Sequence, residues 1–399
     1  MLTPEFALKI FEGFSIERWN DLVRPFDIIE MDKTAEKMIL VYIIGKFEEA
    51  EGKQIDWDWA IYSSLFDLLK KIALCDIKSP VQRMIRAEFP EEYKKLNDWV
   101  LLQYREVIGD DALFALFADY LTENEDANMV RQHTARIVRA AHKYSALREL
   151  EMISMVNEPE RLGKIRKGLS LDIVDYLDLR ALQQLITKQR SFDLLLIIEQ
   201  LRFQIRWNQT PRVPKTSVLG HSYFVAALTL LMGRDASPCP RRRFNNFFSA
   251  LFHDLPEAVT RDIISPVKRA TGAISDIIKQ IEDEIVTNEL YPLMEDFYRD
   301  EIAYFTNNEF DNRVLDGGVI RVVPFPELNG HYNADSYSPV DGALIRCADH
   351  IAAFIEADQS IKHGITSAHL KDGRDNLLSQ YSGVHNINNF DIALFLASF

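Results

Sequence analysis

The chain has 399 residues, 47% of them hydrophobic and 27% charged, and its 60 acidic against 46 basic side chains leave a formal net charge of −14. This is the balance of a globular protein with room for two or three domains. The charge divides as −6 over residues 1–190 and −8 over 191–399. Neither half is therefore a basic platform for a nucleic-acid polymer, and a small phosphorylated substrate fits better.

Taken in chain order, the opening MLTPEFALKIFEGF is broken by Glu5, Lys9 and Glu12, and no apolar run is long enough to span a bilayer, so no membrane or export role is expected. Apolar residues recur at three- and four-residue spacing through 36–49, 61–75, 111–122, 133–153, 192–206, 222–232, 246–259, 273–290 and 344–360. This periodicity predicts amphipathic helices and an all-α fold. Residues 155–190, including the polar NEPERLGKIRKG, are expected to connect two halves and add a helix or two. Arg241, Arg242 and Arg243 read as a solvated loop or helix start, with phosphate steering as the alternative. One segment departs from helix: in 315–342, Val319 to Phe325 is rich in β-branched residues between turn signals, predicting a short β-hairpin or ordered loop. It is a candidate lid or specificity element, with an oligomer contact or plain surface insertion as alternatives; His331 and Tyr332 are the residues to test there. Cys75, Cys239 and Cys347 are too few and too scattered for a zinc cage or disulfide framework and point to a reducing cytoplasm.

The most informative stretch is FFSALFHDLPEAVTRDIISPVK, residues 247–268. His253 and Asp254 follow an apolar run, and a buried charged pair needs a compensating partner such as a divalent cation. Further candidate ligands stand at His221, which begins an apolar helix, and at Asp349 in GALIRCADHIAAFIEA. Two imidazoles and two carboxylates suit one divalent ion: manganese, cobalt, iron, nickel, zinc or magnesium, an identity the ligand types leave open.

The order H…HD…D over three helices resembles the HD-domain metal-dependent phosphohydrolases, and within them the bacterial 5'-deoxynucleotidases. Their Arg-Trp pair is matched by Arg206 and Trp207 in IRWNQTPR, and their HD..E..TGD..TPVK block by HDLPEAVTRDIISPVK. Two positions depart: Arg261 replaces a Gly of the block, and Gly220 replaces the Glu that usually precedes the first His. The resemblance implies His221, His253, Asp254 and Asp349 as metal ligands, Glu257 as the carboxylate that deprotonates the attacking water, and Asp262 as a second active-site carboxylate near the sugar and leaving group. It implies Arg206 as the phosphate fork and Trp207 as a ring against the sugar, or alternatively a core residue. Ser222 and Lys268 are further phosphate-contact candidates. The implied reaction is direct hydrolysis of nucleoside 5'-monophosphates, with deoxyribonucleotides favoured. The alternatives are a triphosphohydrolase or phosphodiesterase on the same site, and a nucleotide sensor without turnover.

The chain also echoes itself. Residues 61–83 align without gaps on 247–269, ERWNDLVRP at 17–25 echoes IRWNQTPRV at 205–213, and IVRAAHKYSALRE at 137–149 echoes LIRCADHIAAFIE at 344–356. Three echoes in one order predict two tandem HD-domain-like units, residues 1–190 and 191–399. In the first, Lys37 is expected at the place of His221, Asp67 at His253, Leu68 at Asp254, His142 at Asp349 and Lys71 at Glu257, so the metal site is lost there. Since the related enzymes are homodimers, the first unit is expected to replace a partner subunit and give a pseudo-dimer in one chain. A rival reading has Arg18 and Trp19 bind a regulatory nucleotide.

Overall fold

The computed structural model describes residues 2–75, 77–122, 128–261 and 274–399. The fold is all-α with one small sheet. The helices of the first part are α1 Pro4–Phe11, α2 Glu30–Ala50, α3 Trp57–Leu74, α4 Ser79–Glu88, α5 Pro90–Gln103, α6 Asp111–Thr122, α7 Met129–Ile153, α8 Pro159–Val174 and α9 Arg180–Ile186. Then come α10 Arg190–Glu199, α11 Val218–Met232, α12 Pro240–Phe252 and the short α13 Glu257–Thr260. The long helix Gly342–Lys362, here the Asp349 helix, follows the sheet.

Two helices form the centre. Every residue of α11 is buried, as in a helix apolar on all sides that must be enclosed by others. Its partner α2 is buried along almost its whole length, although it carries Glu30, Asp32, Lys33, Glu36 and Lys37. The start of α11 is set by Ser217, whose hydroxyl accepts the Gly220 N–H at 2.9 Å. Around this pair one continuous apolar cluster extends from Leu2 to Leu396.

The expected strand segment is a three-stranded antiparallel sheet in the order β2-β1-β3, with β1 Asn312–Asp316, β2 Val319–Val322 and β3 Val340–Asp341. Asp316 pairs with Val319 across Gly317 and Gly318, at φ 59° and 81°. Both central turn residues thus have positive φ, which is why two glycines stand there. The segment's polar contacts fall on the start of α12: Asn333 on Cys239, Asp335 on Arg241, Asp341 on Arg242 and Asn246. His253 lies beyond the other end of that helix, about 10 Å past Asn246 and about 20 Å past its first residue at 1.5 Å per residue. These contacts give the sheet a bracing role along α12, from Cys239 to Asn246. Arg241, Arg242 and Arg243 are likewise not a solvated run; they pair with Glu301, Asp341 and Asp58.

A backbone pattern recurs at constant spacing. The bridge Glu17–Ile29 is repeated as Ile205–Ser217. The bonds Arg18 N to Ile28 O, Glu30 N to Ile16 O and Leu22 N to Trp19 O are repeated as Arg206 N to Thr216 O, Val218 N to Gln204 O and Thr210 N to Trp207 O. Trp19 and Trp207 both sit in the left-handed region, at φ 55° and 57°.

Candidate metal centre

Three elements deliver the side chains. His221 is in the first turn of α11, His253 caps the end of α12, and Asp349 is two turns into its helix. The expected helix over 246–259 is interrupted: α12 ends at Phe252, a turn carries His253 and Asp254, and Glu257 opens α13. That break lets two adjacent residues face one point, which a continuous helix resists by turning them about 100° apart.

Ligand atoms of His221, His253 and Asp349 lie within 4.8 Å of one another, the sole such group of three among the described residues. Asp254 adjoins them, with Oδ1 3.2 Å from His253 Nε2 and Oδ2 4.0 Å from His221 Nε2. The His253 Nδ1 nitrogen is 2.7 Å from the Ala250 carbonyl, which can only accept. Nδ1 therefore carries the proton and Nε2 presents its lone pair to the cluster. Both His253 Nε2 and Asp254 Oδ2 are buried without a hydrogen-bond partner. Buried polar atoms are rarely left so, and a cation accepting two nitrogen and two oxygen donors answers the need. His221 is fully enclosed, whereas the Asp254 and Asp349 side chains are 14% and 21% exposed, so the cluster opens on its carboxylate side.

Behind it lies Glu356, which the residue-by-residue reading missed. It is fully buried, with Oε1 3.1 Å from His221 Nδ1 and 3.1 Å from Thr216 Oγ1; Oε2 accepts from Trp207 Nε1 at 2.9 Å and Arg206 Nε at 3.2 Å. Burial would raise its carboxyl, but Arg206, Arg212 and His221 together hold it far below the usual range. An ionised Glu356 takes the Nδ1 proton of His221 as a hydrogen bond and leaves Nε2 facing Asp349 Oδ1 at 2.9 Å. Burial and Arg206 oppose charge on His221, yet Glu356 and Asp349 outweigh them and raise its pKa. A metal would take the place of that Nε2 proton. The sequence did carry a signal for Glu356: the echoed segments end on Glu149 and Glu356 alike.

The other expected residues are distributed unevenly. Arg206 reaches the cluster, with Nη1 3.7 Å from Asp254 and Nη2 3.8 Å from Asp349. Trp207 is half-buried, its indole N–H held by Glu356 and its ring against Gly373, where a Cβ would come within 2.5 Å of it. Glu257 is near enough to contribute to the raised pKa of Arg206. Ser222 is not brought to the cluster; its hydroxyl is buried and donates to the Val218 carbonyl at 3.0 Å, which corrects its expected phosphate contact. Asp262 and Lys268 lie outside the described residues. Arg261 stands at φ 64°, ψ 157°, a conformation suited to glycine, the residue that the resembled block carries at this place. Gly220 has its own reason: a Cβ there would stand 2.7 Å from Asp32 Oδ1 and 2.8 Å from the Phe14 ring. Glu309 is a further group that sequence reasoning missed; burial raises its pKa, and the charges of His253 and Asp254 act on it.

At the matching place in the first half the chemistry is different. Lys33, not Lys37, occupies the position of His221, since it follows Ile29 as His221 follows Ser217, each bonding its N–H to that residue's carbonyl. Its ammonium donates to the His142 carbonyl at 3.0 Å. Lys37 pairs with Asp67 at 2.5 Å, and Lys71 pairs with Glu30 at 2.6 Å and Asp67 at 3.2 Å. Arg18 is bound to Glu30 and Glu149, and Trp19 Nε1 to Glu149 at 2.8 Å, the counterpart of the hold that Glu356 has on Arg206 and Trp207. Burial lowers Lys33 to about 7. The unfolded chain then binds more protons between about pH 7 and 10.5, so this group's penalty is greatest below pH 7 and disappears as pH rises. Lys33→Met is expected to stabilise the protein near pH 6 by on the order of 3 kcal/mol and to flatten the rise of the melting midpoint toward alkaline pH. Thermal melts from pH 6 to 10 check this.

No helix among the described residues is long and apolar enough to cross a membrane. Residues 198–378 match the family model described as HD domain, a range that holds His221, His253, Asp254, Asp349 and Glu356. The chain is 30% identical over 118 residues to the 4'-phosphooxetanocin A phosphatase of Priestia megaterium, a match covering 29% of this chain and 60% of that protein. It thus spans less than two thirds of that relative's length.

Proposed function

We propose that this protein is a metal-dependent phosphohydrolase of the HD-domain superfamily that releases phosphate from nucleoside 5'-monophosphates, deoxyribonucleotides foremost. The observation that carries the reading is the convergence of His221, His253, Asp254 and Asp349, with His253 Nε2 and Asp254 Oδ2 buried and unbonded beside the Arg206 guanidinium. The similarity to a protein named as a phosphatase supports phosphate removal as the chemistry.

A divalent cation held by these four residues would polarise a phosphoryl oxygen and make a water more acidic. The chain's own groups do the rest. Glu257 takes the proton of the attacking water as its oxygen bonds to phosphorus on the side away from the ester oxygen. That ester bond breaks, the departing oxygen takes a proton from solvent water so that the nucleoside leaves as an alcohol, Glu257 returns its proton to solvent, and orthophosphate is the second product. Arg206 offsets negative charge growing on the phosphoryl oxygens; Glu356 fixes its Nε side and leaves the Nη edge turned to the cluster. Trp207, its indole N–H held by Glu356 and its ring against Gly373, would pack on the sugar. No side-chain nucleophile is required: Cys347 is buried and the Ser222 hydroxyl is used by its helix.

The test is orthophosphate release from ribo- and deoxyribonucleoside mono- and triphosphates, with each of several divalent metals. Turnover of monophosphates, greatest for deoxy forms, is expected. Turnover confined to triphosphates, or metal binding without turnover of any nucleotide, would reject the reading.

A further inference from the structure

The recurring backbone pattern pairs Phe14 with Arg202, Asp32 with Gly220 and Glu36 with Phe224. The ungapped echo of 61–83 on 247–269, carried back four residues, pairs Trp57 with Arg243 and Asp58 with Phe244. Contacts between the halves obey an exchange rule under this pairing. Phe14 meets Phe224 with ring centroids 6.0 Å apart, and the exchanged pair, Arg202 and Glu36, meets at 2.5 Å. Trp57 meets Phe244 at 5.0 Å, and the exchanged pair, Arg243 and Asp58, meets at 2.6 Å. Asp32 and Gly220, each other's mates, touch directly. Contact of i with j accompanied by contact of j with i is the mark of a twofold interface between like subunits, and here it lies within one chain.

We infer that residues 1–190 are the built-in partner of residues 191–399, and that the side chains across this pseudo-axis admit only unlike pairing. Two copies of the second half would set Arg202 against Phe224 at both ends. Arg202 is fully buried, bonded to Glu36 with Glu149 3.7 Å from its Nη1, so each contact would enclose a guanidinium without the Glu36 carboxylate that it bonds now. Two copies of the first half would set Glu36 against Phe14 twice and Asp32 against Asp32 on the axis. The unlike pair places one carboxylate beside one guanidinium, one ring on another, and a hydrogen atom of Gly220 opposite Asp32. It adds a bond across the axis from the Ser217 hydroxyl to Asp32, at the N-cap of the helix that carries His221. Each like pairing takes from a buried charge the partner that the unlike pairing gives it: Glu36 for Arg202, and the Ser217 hydroxyl for Asp32. The partner of the catalytic half is thereby supplied in the chain and protected from exchange with other copies.

The experiment starts from the full chain with a protease site inserted beside Lys188, an exposed residue in the turn where the two halves meet. The folded protein is cut, unfolded in urea, refolded, and its assemblies weighed by native mass spectrometry. The expected product contains one of each fragment at close to the parental 46.1 kDa. Assemblies holding two copies of one fragment would overturn the inference. Should the fragments fail to refold, the uncut chain decides through Arg202→Met and Glu36→Met. Each single change is expected to lower the urea midpoint, with the double variant recovering much of the loss. Strictly additive losses would overturn the inference equally.

Discussion

His253→Ala is expected to lower metal-dependent phosphate release by at least about a thousandfold while leaving the folded state nearly as stable as the parent. Two observations separate these effects. Nε2 of His253 is buried with no hydrogen-bond partner, so its removal takes away a metal donor without breaking a bond that holds the apo fold. The Nδ1 bond to Ala250 closes a turn only three residues long and contributes about 1 kcal/mol at most. Calorimetric titration with manganese or cobalt should show weakened or absent binding, and the melt of the metal-free variant should stay within a few degrees of the metal-free parent. Unchanged affinity and stoichiometry would place the metal elsewhere. A collapse of the metal-free fold would make His253 a core residue first and a ligand second.

The second large effect is expected at Glu356, where stability and metal binding fall together. Its carboxylate is shared by His221, Thr216, Trp207 and Arg206, with Arg212 Nη1 3.9 Å away. Alanine would leave two buried guanidiniums around an uncompensated void, a loss of about 3–5 kcal/mol. Glutamine keeps the shape but not the charge. It is expected to lower metal affinity about 10- to 100-fold, because the Nδ1 proton of His221 loses its anionic acceptor. The pH sign follows from the depressed carboxyl: this stabilisation is present above the unfolded value near 4.3 and is lost as pH falls below it toward the folded value. Glu356→Gln should therefore lose much of the parent's gain in melting temperature between about pH 3 and 6. Melts of both proteins across that range, beside metal titrations at pH 7, test the two halves of the claim; a parallel pH dependence would show that Glu356 is not ionised in the fold.

How far residues alone reach can be judged at particular positions. The helices were legible because burial on one face imposes a 3.6-residue period, and the hairpin because β-branched residues flank Gly317-Gly318. The cluster residues His221, His253, Asp254 and Asp349 were legible as types in apolar contexts, where a charged or imidazole side chain demands a partner. The place of Lys33 was less so. The echo around it is weak, and a four-residue slip keeps a helix face unchanged, so Lys37 read equally well until the backbone bonds of Ile29 and Ser217 set the register.

What the sequence by itself determined is the all-α architecture, its small hairpin and the side-chain chemistry of the cluster, because these depend on local periodicity and residue type. Tertiary structure alone decided that α12 stops at Phe252 so that His253 and Asp254 face one point, and that Ser222 turns back on its own helix. It decided too that Arg206 and Trp207 hang from Glu356, about 150 residues later, and that Gly220 is small because Asp32 lies against it. Such facts concern which distant groups share a buried volume, and a buried charge finds its partner by proximity in the fold, whatever the spacing along the chain.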